Sequence, residues 1–173
     1  MKKLALILFL VIPSIILSGQ ESKVKWYTLT EAVELAKSNP RPIFVDVYTD
    51  WCGWCKTMDR ETFSNSVIAE ILNTKYYPAK FNAETKDTVI FQGRKFFNDG
   101  SIGKNHQLAY AMLQGQLSFP TVVFLTAKSE LITPVMGYKD AKTFEPLLIY
   151  FAGTDWQQRS FQDFMKGFTS QLK

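Results

Sequence analysis

The sequence predicts an α/β domain, a central mixed β-sheet with helices on both faces. Three observations carry this. Ile43-Phe44-Val45-Asp46-Val47-Tyr48 is apolar on both of its alternating faces, as a central strand covered from two sides should be. The chain's patterns run strand–helix, strand–helix, strand–strand–helix, an order that lays helices over a sheet of mixed direction. Finally, removing residues 1–19 from the 173 leaves 154, the size of one domain around one core.

The first 19 residues read as a segment apart. Lys2 and Lys3 precede an apolar run from Leu4 to Leu17, broken only by Pro13 and Ser14, and Ser18-Gly19 offer a cleavage point before Gln20. The run is shorter than the ~20 residues needed to span a bilayer, so it reads as a signal peptide, with the domain at 20–173. Leu17 is large for the position three residues before the cut, which leaves an uncleaved N-terminal anchor as the alternative. No cysteine follows the run, so a lipid anchor there is excluded. The expected location is outside the cytoplasm, in a bacterial periplasm.

Thr28-Leu29-Thr30-Glu31 is a capping box that opens a helix to about Ser38, with Leu35 and Ala36 inward. Asn39-Pro40-Arg41-Pro42 ends it, because proline cannot continue a helix and pushes its predecessor toward extended geometry. The apolar strand 43–48 follows. Thr49 to Trp51 turn, and a helix begins near Cys52. Asn65-Ser66 restart helix for Val67 to Leu72, and Tyr76 to Asn82 is the next strand. A hairpin spans 87–98 around Gln92-Gly93, where Thr88, Val89, Ile90, Phe91, Phe96 and Phe97 call for cover as a core elaboration. Asn105 opens a short helix to Gln114, in which His106 has no evident partner. Thr121 to Thr126 and Leu131 to Met136 form an antiparallel pair, and Lys139 to Phe151 is helical. Phe161, Phe164, Met165 and Phe168 make an i, i+3, i+4, i+7 stripe, the mark of an extra C-terminal helix packed on the domain.

Charge excludes little. The net charge is +4, and setting aside Lys2 and Lys3 leaves +2, which gives no reason to invoke nucleic acid. The cysteines say more. Exported domains use paired cysteines as staples, but these two, Cys52 and Cys55, are three residues apart. A bridge closing so short a loop removes little entropy from the unfolded chain, so chemistry explains the pair better. A zinc site needs about four ligands, and the chain has two cysteines and one histidine. Covalent haem attachment needs histidine after the second cysteine, where Lys56 stands. No metal and no cofactor are expected.

Trp51-Cys52-Gly53-Trp54-Cys55-Lys56 sits where a buried strand turns into a helix. A thiolate at a helix N-terminus meets unpaired N–H groups and the positive end of the macrodipole, both of which lower its pKa. Cys52 is therefore the expected nucleophile, partly exposed. Cys55, one turn deeper and more buried, resolves the mixed disulfide. Gly53 is expected to let the backbone tighten between them.

These residues resemble the thioredoxin-like family over about 26–152. Phe44 to Tyr48 with Trp51 to Lys56 matches its strand and active-site helix, and Tyr76-Tyr77-Pro78-Ala79-Lys80-Phe81-Asn82 its next strand. Ser118-Phe119-Pro120-Thr121 is similar to its cis-proline loop, and Gly137 to its late glycine. The resemblance is strongest to exported members with a Trp-Cys-x-x-Cys-Lys site, including the C-terminal domain of membrane disulfide reductases.

The resemblance implies the thioredoxin fold and further roles. Asp46 falls where the family keeps a buried acid beneath the second cysteine, suited to exchange a proton with Cys55, and Lys80 matches the lysine beside it. A purely structural Asp46–Lys80 pair is the alternative. A cis bond before Pro120 would present Phe119's backbone to a substrate strand, and Trp51 and Trp54 would flank the sulfurs as an apolar docking surface. Gly-Trp between the cysteines is neither the Gly-Pro of general reductants nor the Pro-His of strong oxidants, so both directions of electron flow stay open. The chain has no second redox centre or nucleotide motif. It is expected to act as a monomer on protein substrates with cysteines or disulfides, with electrons from a membrane redox partner. The alternatives are a chaperone or assembly factor that binds clients without turnover, and an oxidase that donates disulfides.

Overall fold

A computed structural model describes residues 23–172; the signal segment expected at 1–19 lies outside the described residues. The elements are β1 (Tyr27–Thr28), α1 (Leu29–Ser38), β2 (Ile43–Tyr48), α2 (Gly53–Glu61), α3 (Ser66–Lys75), β3 (Tyr77–Asn82), β4 (Val89–Phe91), β5 (Arg94–Phe96), α4 (Gln107–Met112), β6 (Thr121–Leu125), β7 (Leu131–Met136), α5 (Ala141–Ala152), α6 (Asp155–Gln158) and α7 (Phe161–Met165). No helix among the described residues is long and apolar enough to cross a membrane.

The main sheet has the order β1-β3-β2-β6-β7. β2 runs parallel to β3 and antiparallel to β6, so the sheet is mixed as predicted. Alternation along β2 divides the core. Ile43, Val45 and Val47 face α1 and α4, meeting Ala32, Ala36, Leu108 and Met112. Phe44 points the other way, among Met58, Ile68, Leu72, Phe124, Phe144 and Leu148. Its ring lies 5.6 Å from Phe124 and 5.7 Å from Phe144, both edge-on. Phe44→Ala would cost about 3–5 kcal/mol by loss of burial and the cavity left behind. Asp46, two residues on, falls by the same alternation on this aromatic face.

Local chemistry sets the helix ends. The capping box at Thr28 forms: its hydroxyl accepts from the Glu31 N–H at 3.2 Å, and the Glu31 carboxylate accepts from the Thr28 N–H at 2.8 Å. Asn65 caps α3 through its side-chain oxygen.

Several expectations need correction. β1 is missing from the sequence reading because two residues carry no periodicity; it exists by parallel pairing with β3. Tyr76 caps the C-terminus of α3 rather than opening the strand, and its hydroxyl donates to the Leu148 carbonyl. α4 is capped by His106, not Asn105. The hairpin β4–β5 forms around Gln92-Gly93, both with positive φ. Phe91 is buried, and Val89 and Phe96 pack on the core, but Ile90 is 70% exposed and Phe97 is exposed too. A two-stranded sheet has an outer face that its partner strand cannot cover. The C-terminal stripe forms α7, preceded by the separate turn of α6 and extended Arg159, but the helix ends at Met165, leaving Phe168 beyond it though still on Phe164. Ser160 opens the second piece by capping it. The fully buried Glu145 of α5 holds the tail, accepting from the Gln171 N–H at 2.6 Å and from the Ser170 hydroxyl.

Candidate active site

β2 ends at Tyr48 and the chain turns over Thr49 to Trp51, closed by the Cys52 N–H donating to the Thr49 carbonyl at 3.1 Å. Cys52 is the N-cap of α2, with extended backbone, and its Sγ accepts from the Cys55 N–H at 3.0 Å. The two cysteines are joined as a disulfide with Cα atoms 5.3 Å apart. The turn that caps the helix thus also sets the Cys55 N–H on the Cys52 sulfur. That arrangement favours negative charge there once the bond is reduced.

Two details differ from the sequence reading. Cys52 and Cys55 are 4% and 5% exposed, so exposure does not separate them; each sulfur covers the other in the bonded pair. The difference between them is electrostatic, since Cys52 occupies the cap. Gly53 is not needed for a tight approach either. It is an ordinary first residue of the helix, and a Cβ there would meet nothing within 4 Å.

Asp46 is 2% exposed. The parallel register sets it opposite Lys80, whose ammonium donates to its Oδ2 at 3.0 Å. Burial drives the carboxyl pKa up from 3.8 to about 6, and the Lys80 ammonium offsets only part of that rise. A carboxyl with a pKa near neutrality can both take and give a proton at the pH where a thiol exchanges. Lys80 has a second anionic partner, Asp59 of α2, at 2.6 Å. Its ammonium also lies over Trp26 at 4.9 Å and Tyr48 at 5.0 Å from the ring centroids. Burial alone would push Lys80 down, but the two carboxylates more than offset it and hold its pKa above 10.5.

On the surface, Trp51 and Trp54 are 65% and 63% exposed, so neither is merely packed. Each leans on a ring from another loop. Trp51 meets Phe119 edge-on at 6.1 Å, and Trp54 lies 5.4 Å from Tyr138. The Phe119–Pro120 bond is cis, and the Pro120 carbonyl accepts from the Gly137 N–H at 2.8 Å. Phe119 and Pro120 therefore stand beside the disulfide loop, tied to the loop that follows β7.

Of the residues singled out in the sequence, Trp51, Trp54 and Phe119 gather around the Cys52–Cys55 loop, and Asp46 and Lys80 form a pair that reaches α2 through Asp59. Asp59 and Tyr138 were missed. Asp59 is four residues after Cys55, and an acid at that helical spacing was a signal available in the sequence. Tyr138 follows Gly137 in a loop whose approach no local pattern announces. His106 does have partners, but away from the disulfide: its Nδ1 accepts from the Leu108 N–H at 3.1 Å and its Nε2 lies 3.0 Å from the Asp87 carbonyl. Among the described residues no group of three or more His, Cys, Asp or Glu could hold a metal ion.

Residues 13–146 match the Thioredox_DsbH family, described as "Protein of unknown function, DUF255"; α6 and α7 lie beyond the matched interval. The chain is 29% identical over 115 residues to the thiol:disulfide interchange protein DsbD of Salmonella typhi, covering 64% of this chain and 17% of that protein. It is 35% identical over 75 residues to the uncharacterized protein B0495.5 of Caenorhabditis elegans, covering 43% and 10%. The chain thus spans only a small part of the length of these relatives. Among solved structures, a thioredoxin from Thermus thermophilus superposes with a TM-score of 0.58 at 20% identity, covering 77% of this chain and 90% of that one. A DsbH oxidoreductase superposes at 0.54 with 17% identity, covering 79% and 87%. Both likenesses establish the thioredoxin fold.

Proposed function

Because the chain belongs to the thioredoxin-like Thioredox_DsbH family, we propose that it is an exported thiol–disulfide oxidoreductase that reduces protein disulfides through Cys52 and Cys55. The observation that carries this reading is the bonded pair at the N-terminus of α2, with the Cys55 N–H on the Cys52 sulfur. Its likeness to a thiol:disulfide interchange protein, DsbD, supports it.

The cycle starts from the dithiol. The Cys52 thiolate attacks one sulfur of a client disulfide; an S–S bond forms to Cys52 and the client's other sulfur leaves as a thiolate. Asp46 takes the Cys55 proton, and the Cys55 thiolate attacks the Cys52 sulfur. The mixed disulfide breaks, the client's second thiolate departs, and the Cys52–Cys55 disulfide remains. Two electrons have passed from protein to client. A membrane redox partner returns them, because the chain carries no redox group besides the cysteines. Trp51, Trp54, Phe119 and Pro120 hold the client during exchange. The site of action is the periplasm, reached through the leader at 1–19, and the working unit is a monomer.

The reduction potential of the pair tests direction. A value near about −270 mV fits a reductase and one near about −120 mV an oxidase. Insulin reduction with a dithiol recycler tests turnover: wild type accelerates it and Cys52→Ser does not. Equal rates for the two would make the protein a binding module whose cysteines do not turn over.

A further inference from the structure

The loop after β7 is fixed at more points than its length requires. The Gly137 N–H donates to the Pro120 carbonyl. The Thr62 hydroxyl, at the end of α2, donates to the Lys139 carbonyl at 2.7 Å. Lys139 turns its ammonium back on the Met136 and Gly137 carbonyls at 2.6 and 3.1 Å. Between these ties, the Tyr138 hydroxyl donates to Glu61 Oε2 at 3.1 Å, and the ring packs partly on the aromatic core. The free face of that ring meets Trp54, the residue immediately before Cys55.

A tryptophan 63% exposed would ordinarily sample several rotamers. Ordering such a side chain when a partner docks costs free energy that would otherwise appear as affinity. Tyr138 removes much of that cost in advance by giving the indole a surface to rest on. We infer that Tyr138 is a positioning residue for client binding: it holds the Trp54 indole as a fixed wall beside the Cys52–Cys55 disulfide, so that extended protein clients are favoured over small disulfides. The inference rests on the oxidoreductase reading and deepens it. A small disulfide needs access to the sulfur only, whereas a polypeptide must also lie against the wall. Tyr138 acts through the Trp54 ring it packs on.

The test is steady-state reduction of insulin and of hydroxyethyl disulfide by wild type, Tyr138→Ala, Trp54→Ala and the double variant, with folding checked by circular dichroism. Tyr138→Ala should raise KM for insulin about two- to tenfold while kcat changes less than about twofold, and should lower the preference for insulin over hydroxyethyl disulfide. Tyr138→Phe keeps the ring and should recover most of the loss. The double variant should be no worse than Trp54→Ala, because the two residues act as one unit. Additive losses, or an unchanged KM in Tyr138→Ala, would overturn the inference. A loss confined to kcat, with equal effect on both disulfides, would do so as well. If wild type reduces neither disulfide, it is the oxidoreductase reading that falls. Should Tyr138→Ala not fold, Tyr138→Leu tests the same point, since it fills the core side of the position without offering a ring.

Discussion

Two of the titratable side chains sealed in this fold, His106 and Asp46, are held in opposite ways. His106 is 0% exposed and Asp46 2% exposed. The histidine has both ring nitrogens occupied by backbone: Leu108 N–H donates to Nδ1, so Nδ1 carries no proton, and Nε2–H donates to the Asp87 carbonyl. This joins the insertion before β4 to the start of α4, and only the neutral ring can do it. Asp46 faces a lysine instead, and that lysine divides itself between Asp46 and Asp59. One group is committed to a single protonation state by fixed backbone partners. The other is held near its titration point by burial together with the opposed charges of Lys80 and Asp59, the second of which reaches solvent. Burial makes a polar group rigid when every partner is backbone, and tunable when the partners are charges that can be rebalanced.

The largest test of the first half is His106→Ala. It uncaps α4, orphans the Asp87 carbonyl and opens a cavity under the ring of Phe81, 5.4 Å away. The expected cost is about 2–4 kcal/mol in denaturant unfolding. His106→Asn keeps an N-cap acceptor and should regain about 1 kcal/mol. A loss below about 1 kcal/mol for the alanine variant would mean that the histidine is not the tie described here.

Asp46→Asn tests the second half and should act in the opposite sense. The folded carboxyl has its pKa raised to about 6 against 3.8 for the free group, so the folded state holds the proton more tightly than the unfolded one. Its favourable contribution is complete below about pH 3.8 and is lost as pH rises through 6. Asp46→Asn should therefore stabilise the protein by about 1–3 kcal/mol at pH 8, with the gain vanishing near pH 4. The same variant should slow release of the mixed disulfide while leaving the first attack by Cys52 intact. A resolution rate that matches wild type at every pH would leave Asp46 a structural residue.

The two groups also oppose each other in one pH window. Burial lowers the His106 pKa below 6.5, so its contribution is present above pH 6.5 and is lost as pH falls toward the folded value. Over that interval the contributions of Asp46 and His106 change in opposite directions. Wild type should show a shallow stability profile between about pH 4 and pH 6.5, and Asp46→Asn a steeper fall on acidification, by roughly 1 kcal/mol. An Asp46→Asn profile that stays flat on acidification would dismiss the histidine as a pH-sensitive tie, and parallel profiles would dismiss Asp46.

Much of the disulfide end was legible in the sequence, and the reason is local. A buried strand, a turn and a helix cap are consecutive residues, so Asp46, Trp51, Cys52, Trp54 and Cys55 could be placed from one stretch of chain, while the roles of the acid and the two tryptophans came from resemblance. Lys80 and Phe119-Pro120 came from resemblance, because pairing across the sheet and a cis bond have no short-range signature. What was missed is long-range in the same sense. Tyr138 reaches Trp54 only after β7 has returned to the sheet, and His106 finds Asp87 across the whole hairpin. The C-terminal helix was read from a stripe that outlasts it: Ser160 caps its start and it ends at Met165, so Phe168 keeps its place on Phe164 from beyond the helix, because an apolar stripe records which side chains face the core, not whether the backbone between them stays helical.

The smallest effect is the most discriminating. Asp59 is linked to Asp46 only through Lys80 and through space, and its negative charge is among the causes that raise the Asp46 pKa. It also competes for the ammonium, standing 2.6 Å from it against 3.0 Å for Asp46. Asp59→Asn removes the competing charge and leaves Lys80 to Asp46 alone, so the Asp46 pKa should move down from about 6 toward the ordinary carboxylate range. Asp59 is part-exposed, so the cost or gain in stability should stay under about 0.5 kcal/mol and would be invisible beside the other variants. The pH dependence of resolution should nevertheless shift to lower pH, and the pH above which the gain from Asp46→Asn levels off should shift with it. Carboxyl carbon chemical shifts of Asp46, followed from pH 3 to pH 8 in both backgrounds, report this directly. If the Asp46 midpoint stays put or rises, Lys80 is not shared in solution, and the buried acid would then be set by desolvation alone.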